Sequence, residues 1–204
     1  CSGIRLLTQA TQLNNPDARV LFEEQEAAEL LSAYAQSYWG IGSGDIPRFM
    51  CMMWEVNISY PWEYLHTTFA ETLHYIGRNE VVWFLNDADV ASLPQHEHRL
   101  REANRWTRGS EGWSRDGIAI HLMSGLSASL YTGEVFQNGV AVIIPNCQAH
   151  RAAIWCFCSS PAFRNAVRQI DQKLSVTNHT LLKVAFDLSH WENVVLEKYP
   201  DGLP

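Results

Sequence analysis

The chain has 204 residues, 47% hydrophobic and 18% charged, which suits one large domain or two small ones around a real core and excludes a disordered chain. A formal charge of −7 excludes capture of nucleic acid by bulk electrostatic attraction. No apolar run approaches the roughly 20 residues needed to cross a bilayer, and the opening Cys1-Ser-Gly-Ile-Arg-Leu-Leu7 lacks the basic start and apolar stretch of a signal peptide.

The first residue, Cys1, reads as a cut end, and five sparse cysteines fit a soluble protein of a reducing, cytoplasmic compartment. The predicted elements begin at Asn15-Pro16-Asp17, a side-chain cap followed by proline and an acid, which starts a helix running to about Ser37. The glycine-rich Gly40-Ile-Gly-Ser-Gly-Asp45 ends it. Residues 49–56 and 80–85 are short, β-branched or aromatic, and bounded by turn formers, so they read as strands. A short helix is expected over 94–106, then an exposed loop punctuated by Gly109 and Gly112. Further strands are expected at 117–123, 128–131 and 139–144, the last ending at Pro145-Asn146, where the asparagine can cap a helix over 148–159. Ser160-Pro161 starts another helix to about Leu174, residues 180–186 read as a strand, and 189–198 as a final amphipathic helix. The sum is an α+β fold: a mixed or antiparallel sheet in the middle with helices at both ends. It divides into a helical entry segment (1–39), a β-rich core (40–145) and a helical segment packed on that core (146–204).

Catalytic motifs are missing. There is no Walker loop, and Gly40-Ile-Gly-Ser-Gly44 has the wrong spacing for a nucleophile elbow. Cys147, His150, Cys156 and Cys158 lie within a dozen residues, but Cys156 and Cys158 would point to different sides of one helix, so buried core cysteines are expected rather than a zinc site. His121, in an apolar strand, reads as a hydrogen-bonded core histidine. The run Gly42-Ser-Gly-Asp-Ile-Pro-Arg-Phe49 combines close backbone approach, the Ser43 hydroxyl, the Asp45 acceptor for a cytosine amino group, and Arg48 for phosphate or guanine. A tight turn in which Asp45 pairs with Arg48 explains the same residues. Arg78 and Asn79 suit guanine and adenine, or a turn. Arg105-Trp-Thr-Arg108 and Trp113-Ser-Arg115 interleave aromatics with arginines, as in a surface meeting a polyanion or in a solvated loop.

Seven ordered blocks resemble the target-recognition regions of large adenine-specific DNA methyltransferases of type IIG restriction–modification and phage-defence systems. They are Leu13-Asn-Asn-Pro-Asp-Ala-Arg19, the glycine-rich run to Phe49, residues 71–78, residues 127–136 with Leu130-Tyr-Thr-Gly-Glu134, Trp155-Cys-Phe-Cys-Ser-Ser-Pro161, Ile170-Asp-Gln-Lys-Leu-Ser-Val-Thr-Asn178, and Leu182-Lys-Val-Ala-Phe-Asp-Leu-Ser-His-Trp191. The resemblance implies a division of labour. An upstream methyltransferase domain of the same polypeptide would bind S-adenosylmethionine and methylate a flipped adenine, while this region, with no cofactor, catalytic residue or metal of its own, would hold double-stranded DNA. Ser43, Gly44, Asp45 and Arg48 are the first candidates for DNA contact, and Arg78, Asn79, Arg105, Arg108 and Arg115 the second. The alternative is a protein-interaction module joining the methylase to other defence-system subunits.

Overall fold

The structure is a computed structural model that describes residues 8, 29–42, 44–84, 106–123 and 125–204. Its centre is β8 (Val140–Pro145), flanked by β1 (Ala35–Trp39) and β5 (Gly117–His121), with β6 (Ala128–Tyr131) beyond β5, all antiparallel. Period-two alternation explains why a strand as apolar as Val-Ala-Val-Ile-Ile belongs there. Ala141 and Ile143 join Ile118, Ile120 and Leu130 on one face, whereas Val140, Val142 and Ile144 join Ala119, Tyr131 and Phe136 on the other. Both faces are therefore covered, and β5, β6 and β8 are buried along almost their whole length.

The first face is covered by helices. A 3₁₀ turn at Gln148–His150 leads into α2 (Arg151–Cys158), followed by α3 (Pro161–Ile170), α4 (Asn178–Leu181) and α5 (Leu188–Lys198); a four-residue α1 (Ile46–Phe49) lies earlier in the chain. α2 buries Ala153 through Cys158 without a break, and Phe157 meets Phe163, Phe186 and Trp191 with ring centroids 5.2–5.3 Å apart. Cys156 and Cys158 are core residues there, and burial pushes both thiols up, away from reactivity. Asp187 caps α5 by accepting from His190 N at 3.0 Å.

A second sheet, in the order β2 (Met50–Met52), β4 (Glu80–Trp83), β3 (Trp62–His66), β7 (Val135–Phe136), is antiparallel except for the parallel β3–β7 pair. Ile41, Phe49, Met50, Leu65, Val82, Trp106 and Val135 form its own core. The segment 70–78, which has no ladder of its own, lies along β6: Leu130 N donates to His74 O at 2.8 Å, Ala128 N to Thr72 Oγ1 at 3.1 Å, and Ile76 N to Ser129 Oγ at 3.2 Å. Two of the seven sequence blocks, 71–78 and 127–136, are thus one structural unit.

The architecture is the α+β fold expected, with helices at the C-terminal end. Several local expectations are corrected. Residues 35–39 continue no helix but form β1, because Ala35 to Trp39 pair in register with Pro145 to Ala141 and that long-range ladder overrides helical periodicity. Residues 15–28 and the expected helix up to residue 105 lie outside the described residues. The strand expected over 49–56 is cut to three residues by α1 before it and a turn after it. Asn146 caps nothing; its Nδ2 donates to Ala33 O at 3.1 Å. α3 stops at Ile170, where Arg168 turns back to the carbonyls of Asp171 and Lys173. Residues 180–186 are not a strand: α4 occupies their start, and only Ala185 makes an isolated bridge to Leu30. Among the described residues no helix is long and apolar enough to cross a membrane.

Candidate nucleic-acid interface

The glycine-rich run leaves the end of β1, and its position is fixed by the chain after β7. Ile41 N donates to Phe136 O at 2.8 Å and Asn138 N to Ile41 O at 2.7 Å. Gly40 permits this, since a Cβ there would stand 2.3 Å from the carbonyl oxygens of Phe136 and Gln137. Gly42, Gly44, Asp45 and Ile46 then line an open groove of about 440 Å³ with Gln137 and Asn138 on its other side. Asp45, half-buried in the groove's lining, sits at the N-cap of α1 and makes no side-chain capping bond.

Trp39 joins this groove to the arginine-rich loop. Its indole nitrogen donates to Asn138 O, its ring is 43% exposed, and the Arg108 guanidinium stacks over it at 4.3 Å. Gly109 lets that turn lie flat: its φ is +78°, and a Cβ would come within 2.6 Å of Phe136 Cζ and 2.7 Å of Trp39 O. Arg48 lies over the Phe49 ring at 5.1 Å, and Phe49 packs edge-on against Trp106, two residues before Arg108. Gly44, Asp45, Arg48 and Arg108 are therefore linked through Trp39, Phe49 and Trp106. Arg115 stays near this loop, donating to Glu111 O at 3.2 Å from an exposed position. Ser43 and Arg105 lie outside the described residues.

Arg78 is placed differently. Its Nε donates to Glu134 Oε1 at 2.6 Å, its Nη2 to Leu130 O at 2.6 Å, and it lies over the Tyr75 ring at 5.2 Å. With Glu134 bound at its other oxygen by Thr132, this arginine ties segment 70–78 to the β6–β7 turn instead of facing the groove. Asn79 is exposed at the start of β4, where its carbonyl accepts from Met53 N. Burial alone would raise the Glu134 pKa, but its own backbone amide, Arg78, His66 and Thr132 outweigh burial and hold the carboxyl below its ordinary value.

His66, fully buried beside this pair, carries the opposite consequence. Burial, opposed by Glu134 and reinforced by Arg78, lowers its pKa from 6.5 to about 4. The unfolded chain then takes up a proton that the folded chain refuses, so stability falls as pH drops from 6.5 to about 4, by about 3 kcal/mol in all. Urea unfolding across that range is expected to show the loss in the native chain and a much flatter profile in His66→Gln.

Trp39, Gln137 and Asn138 were not singled out from sequence. Trp39 could have been, as an aromatic directly before a glycine-rich run, whereas Gln137 and Asn138 reach the groove only through the β1–β8 and β3–β7 pairings. His121 is half-buried, with a backbone hydrogen bond to Phe69, as a core histidine should be. Among the described residues no group of three His, Cys, Asp or Glu side chains could hold a metal ion.

The order β1, Gly40 to Gly44, α1 has the elements of an S-adenosylmethionine loop, but the fit fails. β1 is an antiparallel edge strand and α1 has only four residues, so among the described residues this run meets neither a parallel sheet crevice nor a helix long enough to face the cofactor. No protein-family model matches the chain, and no curated protein matches it either.

Proposed function

We propose that this chain is the DNA sequence recognition module of a site-specific adenine DNA methyltransferase of a restriction–modification or phage-defence system, positioning duplex DNA for an upstream catalytic domain that binds S-adenosylmethionine. The observation that carries the reading is the single rim on which a glycine-lined groove bearing Asp45, Gln137 and Asn138 meets the Arg108–Trp39 stack. The chemistry is that of base and phosphate contact. Asparagine and glutamine read adenine, aspartate accepts from cytosine, arginine serves phosphate or guanine, and glycines admit the backbone close to the duplex. The ordered resemblance to type IIG recognition regions supports the same assignment. The negative net charge limits the module to local contacts, so its affinity must come from this rim and from basic surfaces of the parent.

Under this reading, Asp45→Ala together with Asn138→Ala in the intact methyltransferase is expected to relax or change the methylated sequence while methylation continues. Sequencing of methylated adenines in cells carrying the variant gene checks this. An unchanged methylation pattern with lost assembly of the defence complex would instead favour the scaffolding reading.

A further inference from the structure

A second concavity has the opposite chemistry to the DNA-facing rim. Phe84, Trp113 and Glu63 line a pocket of about 310 Å³ together with Tyr64, Ser114 and Glu134, and no lysine or arginine among the described residues lines it. Phe84 and Trp113 stand nearly perpendicular, at 86° with centroids 5.3 Å apart, and form two walls of a corner. Gly133, at φ +99°, closes the turn against Ser114, where any Cβ would come within 2.7 Å of the Ser114 Cα.

The charge of this lining decides what it takes. Glu134 is matched by Arg78 behind it at 2.6 Å, which leaves the exposed Glu63 as the lining charge without an ion pair among the described residues. The ring faces carry the negative lobes of their quadrupoles. The Trp113 indole nitrogen is buried without an acceptor among the described residues, so no hydrogen bond of that kind fixes the ring edge. A phosphate or carboxylate would meet the Glu63 carboxylate, whereas an organic cation would be attracted both by that charge and by the Phe84 and Trp113 ring faces.

We infer that this pocket binds an organic monocation of the alkylammonium or guanidinium class, seated against Phe84 and Trp113 and balanced by Glu63. The cation could arrive as a free small molecule or as the side chain of a basic protein segment; the recognising chemistry is the same. The inference does not depend on DNA recognition at the Trp39 rim.

The test compares choline with 3,3-dimethyl-1-butanol, which has the same shape without the charge, by following the Trp113 indole N–H resonance in the full chain, assigned through Trp113→Phe. Choline is expected to shift it saturably with a Kd on the order of millimolar, at least about tenfold tighter than the neutral isostere. Glu63→Gln is expected to weaken choline severalfold without altering the rest of the spectrum. A short peptide carrying arginine or trimethyllysine that binds at least about tenfold tighter than choline would place the source in a protein partner; equal affinity would place it in a free cation. Equal binding of choline and its isostere would overturn the inference in favour of a merely apolar cleft. A saturable response to neither compound, in protein with its native spectrum, would overturn it as well.

Discussion

Arg78→Met is expected to lower the unfolding free energy by about 3 kcal/mol, as measured by urea denaturation at neutral pH. The side chains of Arg78 and Glu134 are only 23% and 9% exposed, so removing the cation leaves a nearly buried carboxylate without its partner. That penalty, more than the pair's own attraction, dominates the effect. The bond to Leu130 O is lost as well, which removes one of the ties between segment 70–78 and β6. The sign with pH follows from the Glu134 shift. Its carboxyl is held below the ordinary value, so it contributes stability above the unfolded pKa and loses that contribution as pH falls through the folded one. In Arg78→Met that contribution is expected to shrink. Adding Glu134→Gln should recover part of the loss, because the second change removes the orphaned charge; a double variant as unstable as the sum of the two singles would contradict the pairing.

Gly109→Val is expected to cost about 3 kcal/mol or more and to abolish the Arg108–Trp39 stack. Two effects add at this position: a left-handed φ of +78° and a Cβ within 2.7 Å of a backbone oxygen. Gly44→Ala separates them. Its φ is +75° but nothing lies within 4 Å of the added Cβ, so it should cost only about 1 kcal/mol. A Gly109→Val protein as stable as Gly44→Ala would mean that the Gly109 turn does not lie flat on Trp39 and Phe136. Near-ultraviolet circular dichroism should show the Trp39 environment changing in Gly109→Val alone.

Much of the fold was legible because its signals are local. The apolar run 140–145, the Ser160-Pro161 helix start and the amphipathic end each declare themselves within a few residues, and β6 falls at 128–131 as read. β1 was hidden because Ala35-Gln-Ser-Tyr-Trp39 follows a helical pattern and becomes a strand only by pairing with β8, about a hundred residues later. The candidate site divides in the same way. The groove residues Gly44 and Asp45 were visible as chemistry in one loop, and Arg108 as part of an arginine–aromatic run. That the two meet across Trp39 is a product of topology. Arg78 shows the converse: its residue type suited a base edge, but its partner Glu134, 56 residues away, gives it structural work.

The proposed contact with duplex DNA runs through the rim of Asp45, Asn138 and Arg108 on Trp39. Titration of a fluorescently labelled duplex with the chain at low salt, monitored by anisotropy, reads that contact out. The prediction is weak binding that declines with added salt, with Arg108→Ala weakening it by about tenfold and lowering the slope of log K against log salt by about 1. No binding at low salt, or binding that Arg108→Ala leaves unchanged, would contradict it.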